Sequence, residues 1–568
     1  MRKMILLCTC VFLAIAGVCF TFAWFTQART LQATVEKYIA KLNEKQTYIT
    51  YDSLSTSGFP TSVNVAIVNP HFKGRADEFL KLFIADTSKM NLPQWDEDSV
   101  LAGSVSVGVN LFANQYNMHV DGAWRGVSTI GGKTYQMTTT NAGQSNCTLK
   151  MKSHMGLFGT LWDFKALSEL NGKELVQDLR LLDCDSPGYS ITDTNTNDVL
   201  MASGPIRFFV SSEEAAGGSQ TRQVRVYLKG TDSEVSPKGD AVLAAYTSAL
   251  FPGSPMAPNA SVYGKRNVEL DFSYNGPLSL EGGLKATPMA VDLNTFTLNN
   301  QVYQSQANFH YLNGAGDKGR TTKITFNAQS DFSEQYDALL RDMVKGFILQ
   351  LYSPFVPQPA NIQPLIRKYS ADDLFNIVQP SLPNLHSLGR LTQTLDFNYN
   401  GDADMTAGDI TFNNFALTAA PYGIAGRGSL QMTAGHPMPA ANILLSCANC
   451  GRLVDDITDY TGRLQRTIAT IAEQPIQGGL TPAQAEGVKA FLTQLSQPSA
   501  DQADKTALNF AIVSDGVSTV TISGKRMDEV MAIYAQTIAP TLSQNQPASQ
   551  LPVPPAAPAP SLMIQPHP

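Results

Sequence analysis

The chain has 568 residues, a formal net charge of −7, and only 16% charged against 43% hydrophobic residues. So mild a balance excludes a nucleic-acid binder, which calls for a basic patch. The low charge, with Asn, Gln, Ser and Thr plentiful, suits an exported β-rich protein, and the length allows three domains or one long repetitive body.

The first element is an apolar run, Met4 to Phe25, uncharged and preceded by Arg2 and Lys3. Roughly twenty helical residues cross the ~30 Å hydrocarbon layer of a bilayer. The run therefore predicts a transmembrane anchor over residues 1–25, with the positive flank cytoplasmic and the bulk exported. The expected location is the inner membrane, with one N-terminal span and the body in the periplasm. Ala23-Trp24-Phe25 would form the interfacial edge of that span. A secretory signal cut after Ala28 and a lipoprotein at Cys19 are the alternatives, and Thr26 and Val18 fit them poorly. Leu31, Val35, Tyr38, Ile39 and Leu42 then recur at helical spacing, predicting a stalk helix over 26–46 that leads off the membrane.

From residue 47 the period changes to two. Ile49 and Tyr51 alternate with Thr50 and Asp52, Ser57-Gly58-Phe59-Pro60 makes a turn, and Val63, Val65 and Ile67 alternate with Ser62, Asn64 and Ala66. This is a hairpin with one apolar face, opening an N-terminal β-rich domain over 47–258. Asp121-Gly122, Asn313-Gly314 and Asp515-Gly516 carry further turn signals.

The clearest internal signal is a repeat. Leu270-Asp271-Phe272-Ser273-Tyr274-Asn275-Gly276 matches Leu395-Asp396-Phe397-Asn398-Tyr399-Asn400-Gly401. In each copy Leu, Phe and Tyr share a face, and Asn-Gly is expected to turn the chain into a hairpin. Phe296-Thr297-Leu298 with Tyr303 and Phe415-Ala416-Leu417 with Tyr422 follow in the same order. Two β-modules are expected, one over 259–390 with a helical segment and one over 391–546 with helices and a terminal hairpin. Leu270, Phe272, Tyr274, Leu395, Phe397 and Tyr399 are the candidate apolar face, serving either a lipid or an ordinary core.

Helices are predicted from Tyr336 to Leu351, from Ile457 to Ile471, and from Thr481-Pro482, where Gln484 completes a capping box. Proline joints fall near Pro252, Pro255 and Pro258 and from Pro354 to Pro364, and the Pro/Ala-rich tail over 547–568 should be disordered. The fold class expected is α+β, mainly antiparallel β, elongated or built of duplicated modules with helices packed on the sheets.

Four cysteines stand outside the apolar run: Cys147, Cys184, Cys447 and Cys450. An even set in an oxidising space reads as two disulfides, and of three possible pairings the local one, Cys147–Cys184 with Cys447–Cys450, is preferred. Cys447-Ala448-Asn449-Cys450 before a helix could exchange disulfides, but a clip between strand and helix fits better, and zinc lacks a second ligand pair. GVSTIGGKT, Gly126 to Thr134, misses the phosphate-loop pattern at Val127. Ser145 and Ser518 lack the nucleophile-elbow glycines. The histidines His71, His119, His154, His310, His386, His436 and His567 are scattered, and Asp402 with Asp404 reads as a solvated loop. No catalytic residue, metal or cofactor is expected.

Tyr51-Asp52-Ser53-Leu54 with Ser57-Gly58-Phe59-Pro60, and the terminal pair around Asp515-Gly516 ending Ile522-Ser523-Gly524, resemble a domain-of-unknown-function family. Its members are membrane-anchored envelope proteins of Gram-negative bacteria, chiefly alphaproteobacteria. The resemblance spans most of residues 1–540 through short motifs and leaves the tail and the CxxC unexplained. The broader architecture is similar to AsmA-like proteins, which extend β-sheets with an apolar channel into the periplasm. This resemblance implies lipid handling and carries no functional residues with it. The function expected is a non-enzymatic binder or conduit for acyl chains in envelope maintenance. A scaffold for envelope proteins and an anchored thiol-disulfide oxidoreductase are the alternatives. Expected partners are the inner membrane, lipid and envelope proteins, with no nucleic acid.

Overall fold

Long runs of period-two alternation make long strands, and in the computed structural model they build one antiparallel sheet. The structure describes residues 2–44, 48–75, 94–110, 115–130, 132–151, 179–214, 221–250, 264–279, 285–286, 288–352, 362–404, 406–473, 480–497 and 507–543. The side chains of 2–20 and of a few element ends are excepted. The proline joint at Pro252, Pro255 and Pro258 and the 547–568 tail lie outside these residues.

Helix α1 (Arg2–Leu42) leads into β1 (Ile49–Thr50), β2 (Ser53–Ser57), β3 (Ser62–Val68), β4 (His71–Arg75), β5 (Trp95–Asn110) and β6 (Gln115–Ile130). Then come β7 (Lys133–Asn141), β8 (Ser145–Met151), β9 (Leu179–Ser186), β10 (Tyr189–Asp193), β11 (Val199–Ser203), β12 (Ile206–Glu214) and β13 (Thr221–Val235). Helix α2 (Pro237–Leu250) precedes β14 (Arg266–Ser279), β15 (Lys285–Ala286), β16 (Ala290–Asn299), β17 (Tyr303–Gly316) and β18 (Gly319–Phe332). Helices α3 (Glu334–Leu351), α4 (Gln363–Lys368) and α5 (Ala371–Val378) lead to β19 (Arg390–Gly401), β20 (Gly408–Thr418), β21 (Gly423–Met432) and β22 (Ala440–Ala448). Helices α6 (Cys450–Ala472) and α7 (Pro482–Leu495), strands β23 (Leu508–Asp515), β24 (Val520–Ile522) and β25 (Lys525–Arg526), and helices α8 (Met527–Thr537) and α9 (Ala539–Ser543) complete the described chain.

The fold is therefore α+β and mainly antiparallel β. From β13 onward it is a meander in which successive strands pair, except that β14 pairs with both the short β15 and β16, and β13 pairs with β14, β18 with β19, and β22 with β23 across the helical insertions. An even number of strand steps separates β13, β18 and β22, so all three run the same way. Helices α2, α3 and α6 consequently leave the sheet at one end of its strands. Helix α1 packs on β2 and β3, α2 on β6 and β11, α3 on β18, α7 on β23 and α8 on β24 and β25, while α3 also packs on α5, α5 on α6, α6 on α7 and α7 on α8. The expected capping box is in place: Gln484 N donates to Thr481 Oγ1 and Thr481 N to Gln484 Oε1 at 2.8 Å.

The N-terminal span does not hold. Among the described residues no helix is long and apolar enough to cross a membrane, which overturns the single inner-membrane span with its periplasmic body. The expected anchor and stalk are instead one helix, α1, whose second half lies on the sheet. Trp24, expected at a membrane interface, is 5% exposed in a core cluster with Ala28, Leu31, Val63, Val65, Val109, Tyr116 and Met151. Its Nε1 donates to Ser62 O at 2.6 Å. The physical reason is a competing apolar surface: the helical stripe continues through Leu31, Val35 and Ile39, and β3 offers it a partner face.

The turn signals divide. Asp515-Gly516 turns as expected, with Gly516 at φ 80° and Asp515 Oδ1 accepting from the amides of Val517, Ser518 and Thr519. Asn275-Gly276, Asp121-Gly122 and Asn313-Gly314 lie inside strands instead, and after Asn400-Gly401 the chain turns over 402–407. Gly122 and Gly276 supply positive φ, 111° and 153°, within a strand rather than a turn, whereas Gly314 continues its strand without one. Gly103 and Gly122 face each other at φ 159° and 111°, and a Cβ on either would strike the opposite backbone. They belong to a set of positive-φ positions between β3 and β13 that includes Asn69 at φ 46°, Gly188 at 116° and Asp232 at 50°. The first hairpin also shifts: β2 is Ser53–Ser57, and Ile49–Thr50 pairs with β4.

Candidate functional site

Following ladder partners across the sheet reveals one row of side chains on one face. It starts Val63, Val109, Tyr116, Leu149, Leu182 and Val210, on β3, β5, β6, β8, β9 and β12. It continues Val226, Phe272, Leu293, Phe309 and Phe326 on β13, β14, β16, β17 and β18. It ends Leu395, Phe415, Gly426, Leu445 and Phe510 on β19 to β23. No polar residue interrupts it.

A second row, two residues along each strand, includes Cys147, Cys184, Phe208, Leu228, Leu270 and Phe296 and ends at Ile424, Cys447 and Leu508. Gln393 is its one polar side chain. A third row carries Tyr274, Val291, Tyr311, Ile324, Phe397 and Phe412 and reaches Ile443, Ile512 and Ile522. From β12 to β23 the first row makes ten inter-strand steps, about 48 Å at ~4.8 Å per step.

The two ends of this face differ in cover. Under α1, Val63, Val65, Val109 and Tyr116 are buried. From Leu182 to Phe510 every member of the first row is only half-buried. A face sealed between two layers would be buried along its length.

All six residues singled out in the sequence lie on this face. Leu270, Phe272, Leu395 and Phe397 are half-buried. Tyr274 and Tyr399 are buried, Tyr399 completely, and their hydroxyls donate to the Pro277 and Asp402 carbonyls. These two tyrosines are therefore supports beneath the surface. The sequence reading missed Val226, Leu293, Phe309 and Phe326. The signal was present as alternation in Asn308-Phe309-His310-Tyr311 and Ile324-Thr325-Phe326, but those segments carry no repeat to mark them.

The opposite face is polar and paired. Arg225 grips Asp271 with two bonds of 2.9 Å, Arg207 grips Asp183, Lys229 meets Glu269, and Asn327 Nδ2 donates to Asn308 Oδ1. Hydrogen bonding to Asp271 raises the Arg225 guanidinium further above its ordinary value, and Asp183 does the same for Arg207. One side of the sheet is thus polar and largely paired, with Asp396 Oδ1 and Asn275 Oδ1 buried outside any hydrogen bond, and the other apolar and half-covered.

The structure pairs Cys147 with Cys184 and Cys447 with Cys450. Cys147 and Cys184 are direct ladder partners in the second row. Cys447 is the last residue but one of β22, Asn449 takes a left-handed conformation at φ 51°, and Cys450 opens α6, so this bridge clips strand to helix. Both sulfurs of the clip belong to buried residues.

The remaining suspects have local duties. Gly126 to Thr134 spans the β6–β7 hairpin. Ser145 Oγ donates to Ser186 Oγ, and Ser518 belongs to the Asp515 turn. His71 meets Asp98, His119 meets Asn146, His310 meets Asp292, and His386 meets the Phe332 carbonyl. His154 and His567 lie outside the described residues. Asp402 turns its carboxylate on Thr406 and Tyr399. Among the described residues no group of three His, Cys, Asp or Glu could hold a metal ion. No family model and no curated protein matches the chain.

Proposed function

We propose that this protein is a non-enzymatic binder of lipid acyl chains, which lie against the half-covered apolar rows between β12 and β23. The observation that carries this reading is the unbroken first row, apolar on sixteen successive ladder positions and half-buried from Leu182 onward. Each CH₂ fully removed from water contributes roughly 0.8 kcal/mol. A chain only partly covered by such a face still gains several kcal/mol with no charged anchor. The reading agrees with the lipid handling that resemblance to AsmA-like proteins implies.

The test is a titration of the full chain with a fluorescent long-chain fatty acid. Phe309→Asp and Phe326→Asp place charge in the first row and should weaken binding at least about tenfold, a loss of ~1.4 kcal/mol or more. Asn308→Asp and Asn327→Asp, on the opposite face of the same strands, should leave it unchanged. Equal affinity in all four variants would overturn the assignment.

A further inference from the structure

The two repeated segments carry the same irregularity and arrange different side chains around it. In the first, the ladder slips between Leu293 and Phe296, so Asn294 and Thr295 of β16 bulge opposite Asn308. In the second it slips between Phe412 and Phe415, so Asn413 and Asn414 of β20 bulge opposite Arg427. The strand before each bulge slips alike, at Asp271/Phe272 and at Asp396/Phe397.

Around the first bulge the polar groups satisfy one another. Arg225 holds Asp271, and Asn327 Nδ2 donates to Asn308 Oδ1 at 3.1 Å. Around the second they do not. Asp396 Oδ1 is buried without a hydrogen bond, and the ladder partner of Arg427 on β22 is Leu444. The Arg427 side chain is exposed and meets no carboxylate or other hydrogen-bond acceptor among the described residues.

Arg427 lines an open cleft of about 590 Å³, a size within the ~300–1,000 Å³ of small-molecule sites. The cleft spans β20 to β23 on the polar face. A bulge re-aims the side chains it carries, and Asn413 and Asn414 stand exposed at one edge. Ala425 and Leu444 line the middle, and Leu444 is 43% exposed. Gln497, fixed by its backbone N–H on the Asn509 carbonyl at 2.8 Å, stands at the far edge.

This lining selects a ligand by its chemistry. The side-chain amides of Asn413, Asn414 and Gln497 both donate and accept, and the guanidinium only donates. Groups that do the same in return are hydroxyls. Leu444 and Ala425 add a small apolar patch suited to C–H bonds. Asp396, the ladder partner of Asn414, sets a carboxylate beside the cleft, so an anion drawn by Arg427 is repelled by Asp396. Hydroxyls around a C–H surface, without net charge, are the composition of a sugar ring.

We propose that this cleft binds a neutral saccharide, with Arg427 and the bulged asparagines hydrogen-bonding its hydroxyls and Leu444 covering a C–H face. The cleft lies on the face opposite the apolar rows, so it stands apart from the acyl-chain reading.

The full chain is tested by saturation-transfer difference NMR with maltose, cellobiose and lactose. Saturation transfer to at least one of them is expected, undiminished by added inorganic phosphate. Arg427→Gln removes the charged donor and Ala425→Phe fills the middle of the cleft. Each should raise the Kd of the bound disaccharide about tenfold or more while keeping the circular dichroism of the parent. Lys323→Gln alters an exposed cation on the same face of β18, outside the cleft, and should leave the Kd unchanged. Phe309→Asp/Phe326→Asp, on the other face, should leave it unchanged as well. No transfer to any of the three sugars, parent-like binding by either cleft variant, or weakening by Lys323→Gln would overturn the proposal. So would displacement by phosphate, because Arg427 would then serve an anion. Sugar binding by a chain that takes up no fatty acid would overturn the acyl-chain reading and leave the cleft standing.

Discussion

Tyr274 and Tyr399 make the same contact in the two repeated segments: each hydroxyl donates to the carbonyl three residues ahead, Pro277 O at 2.6 Å and Asp402 O at 2.7 Å. Tyr399 also reaches Asp402 Oδ1 and Ala407 O. Tyr399 ties the end of β19 to the turn that follows, whereas Tyr274 makes its bond within β14. Tyr399→Phe keeps the ring and removes the hydroxyl's bond to the Asp402 carbonyl, while Ala407 O still accepts from Asp402 N and Asp402 Oδ1 from Thr406 N. It should cost about 1–3 kcal/mol in urea unfolding, and Tyr274→Phe should move stability in the same direction. An unchanged midpoint for Tyr399→Phe would show that the turn is held by other bonds.

Trp24 gives a second test, of α1 as part of the core. Trp24→Ala removes an indole that fills the cluster around Val63 and Val65 and donates to Ser62 O. The expected destabilisation is about 3–5 kcal/mol, measured by urea unfolding of the whole chain. A loss below ~1 kcal/mol would mean that α1 adds little to the sheet.

The two disulfides should differ in weight. Cys147 and Cys184 are 37 residues apart and Cys447 and Cys450 only 3. Closing the longer loop restricts the unfolded chain more, so Cys147→Ser/Cys184→Ser should cost about 2–4 kcal/mol and Cys447→Ser/Cys450→Ser less. Thermal unfolding of both variants, without reductant, reads the order directly, and a reversed order would contradict it.

Acid sensitivity should trace to two turns. Thr406 holds Asp402 at about 2, below its ordinary 3.8, and the amides of Thr519, Val517 and Ser518 hold Asp515 lower still. A carboxylate depressed in the folded state stabilises it above the unfolded value and loses that contribution as pH falls through the folded one. The urea midpoint should therefore drop between pH 4 and 2, and Asp515→Asn should shrink the drop. A variant as acid-sensitive as the parent would place the titrating groups elsewhere.

Much of the sheet is legible in the sequence because its strands alternate strictly. The Leu-x-Phe-x-Tyr segments at 270 and 395 place six residues on one face, and the structure puts them there. Segment order alone does not reveal that this face runs unbroken through Leu293, Phe309 and Phe326, since ladder register depends on bulges such as those at Asp271/Phe272 and Asp396/Phe397. Asp121-Gly122 and Asn275-Gly276 mislead for a related reason: each supplies a positive φ, and whether that makes a turn or stays within a strand depends on the neighbouring strand. The apolar opening of the chain misleads because hydropathy does not distinguish lipid from a protein face, and Trp24 has the latter beside it.

The most direct measurement of the central claim is native mass spectrometry of the full chain purified under non-denaturing conditions. The parent should carry lipid, or take up phospholipid on mixing, and Phe309→Asp/Phe326→Asp should carry markedly less. A parent chain that flies only at its bare mass, before and after mixing, would contradict the account.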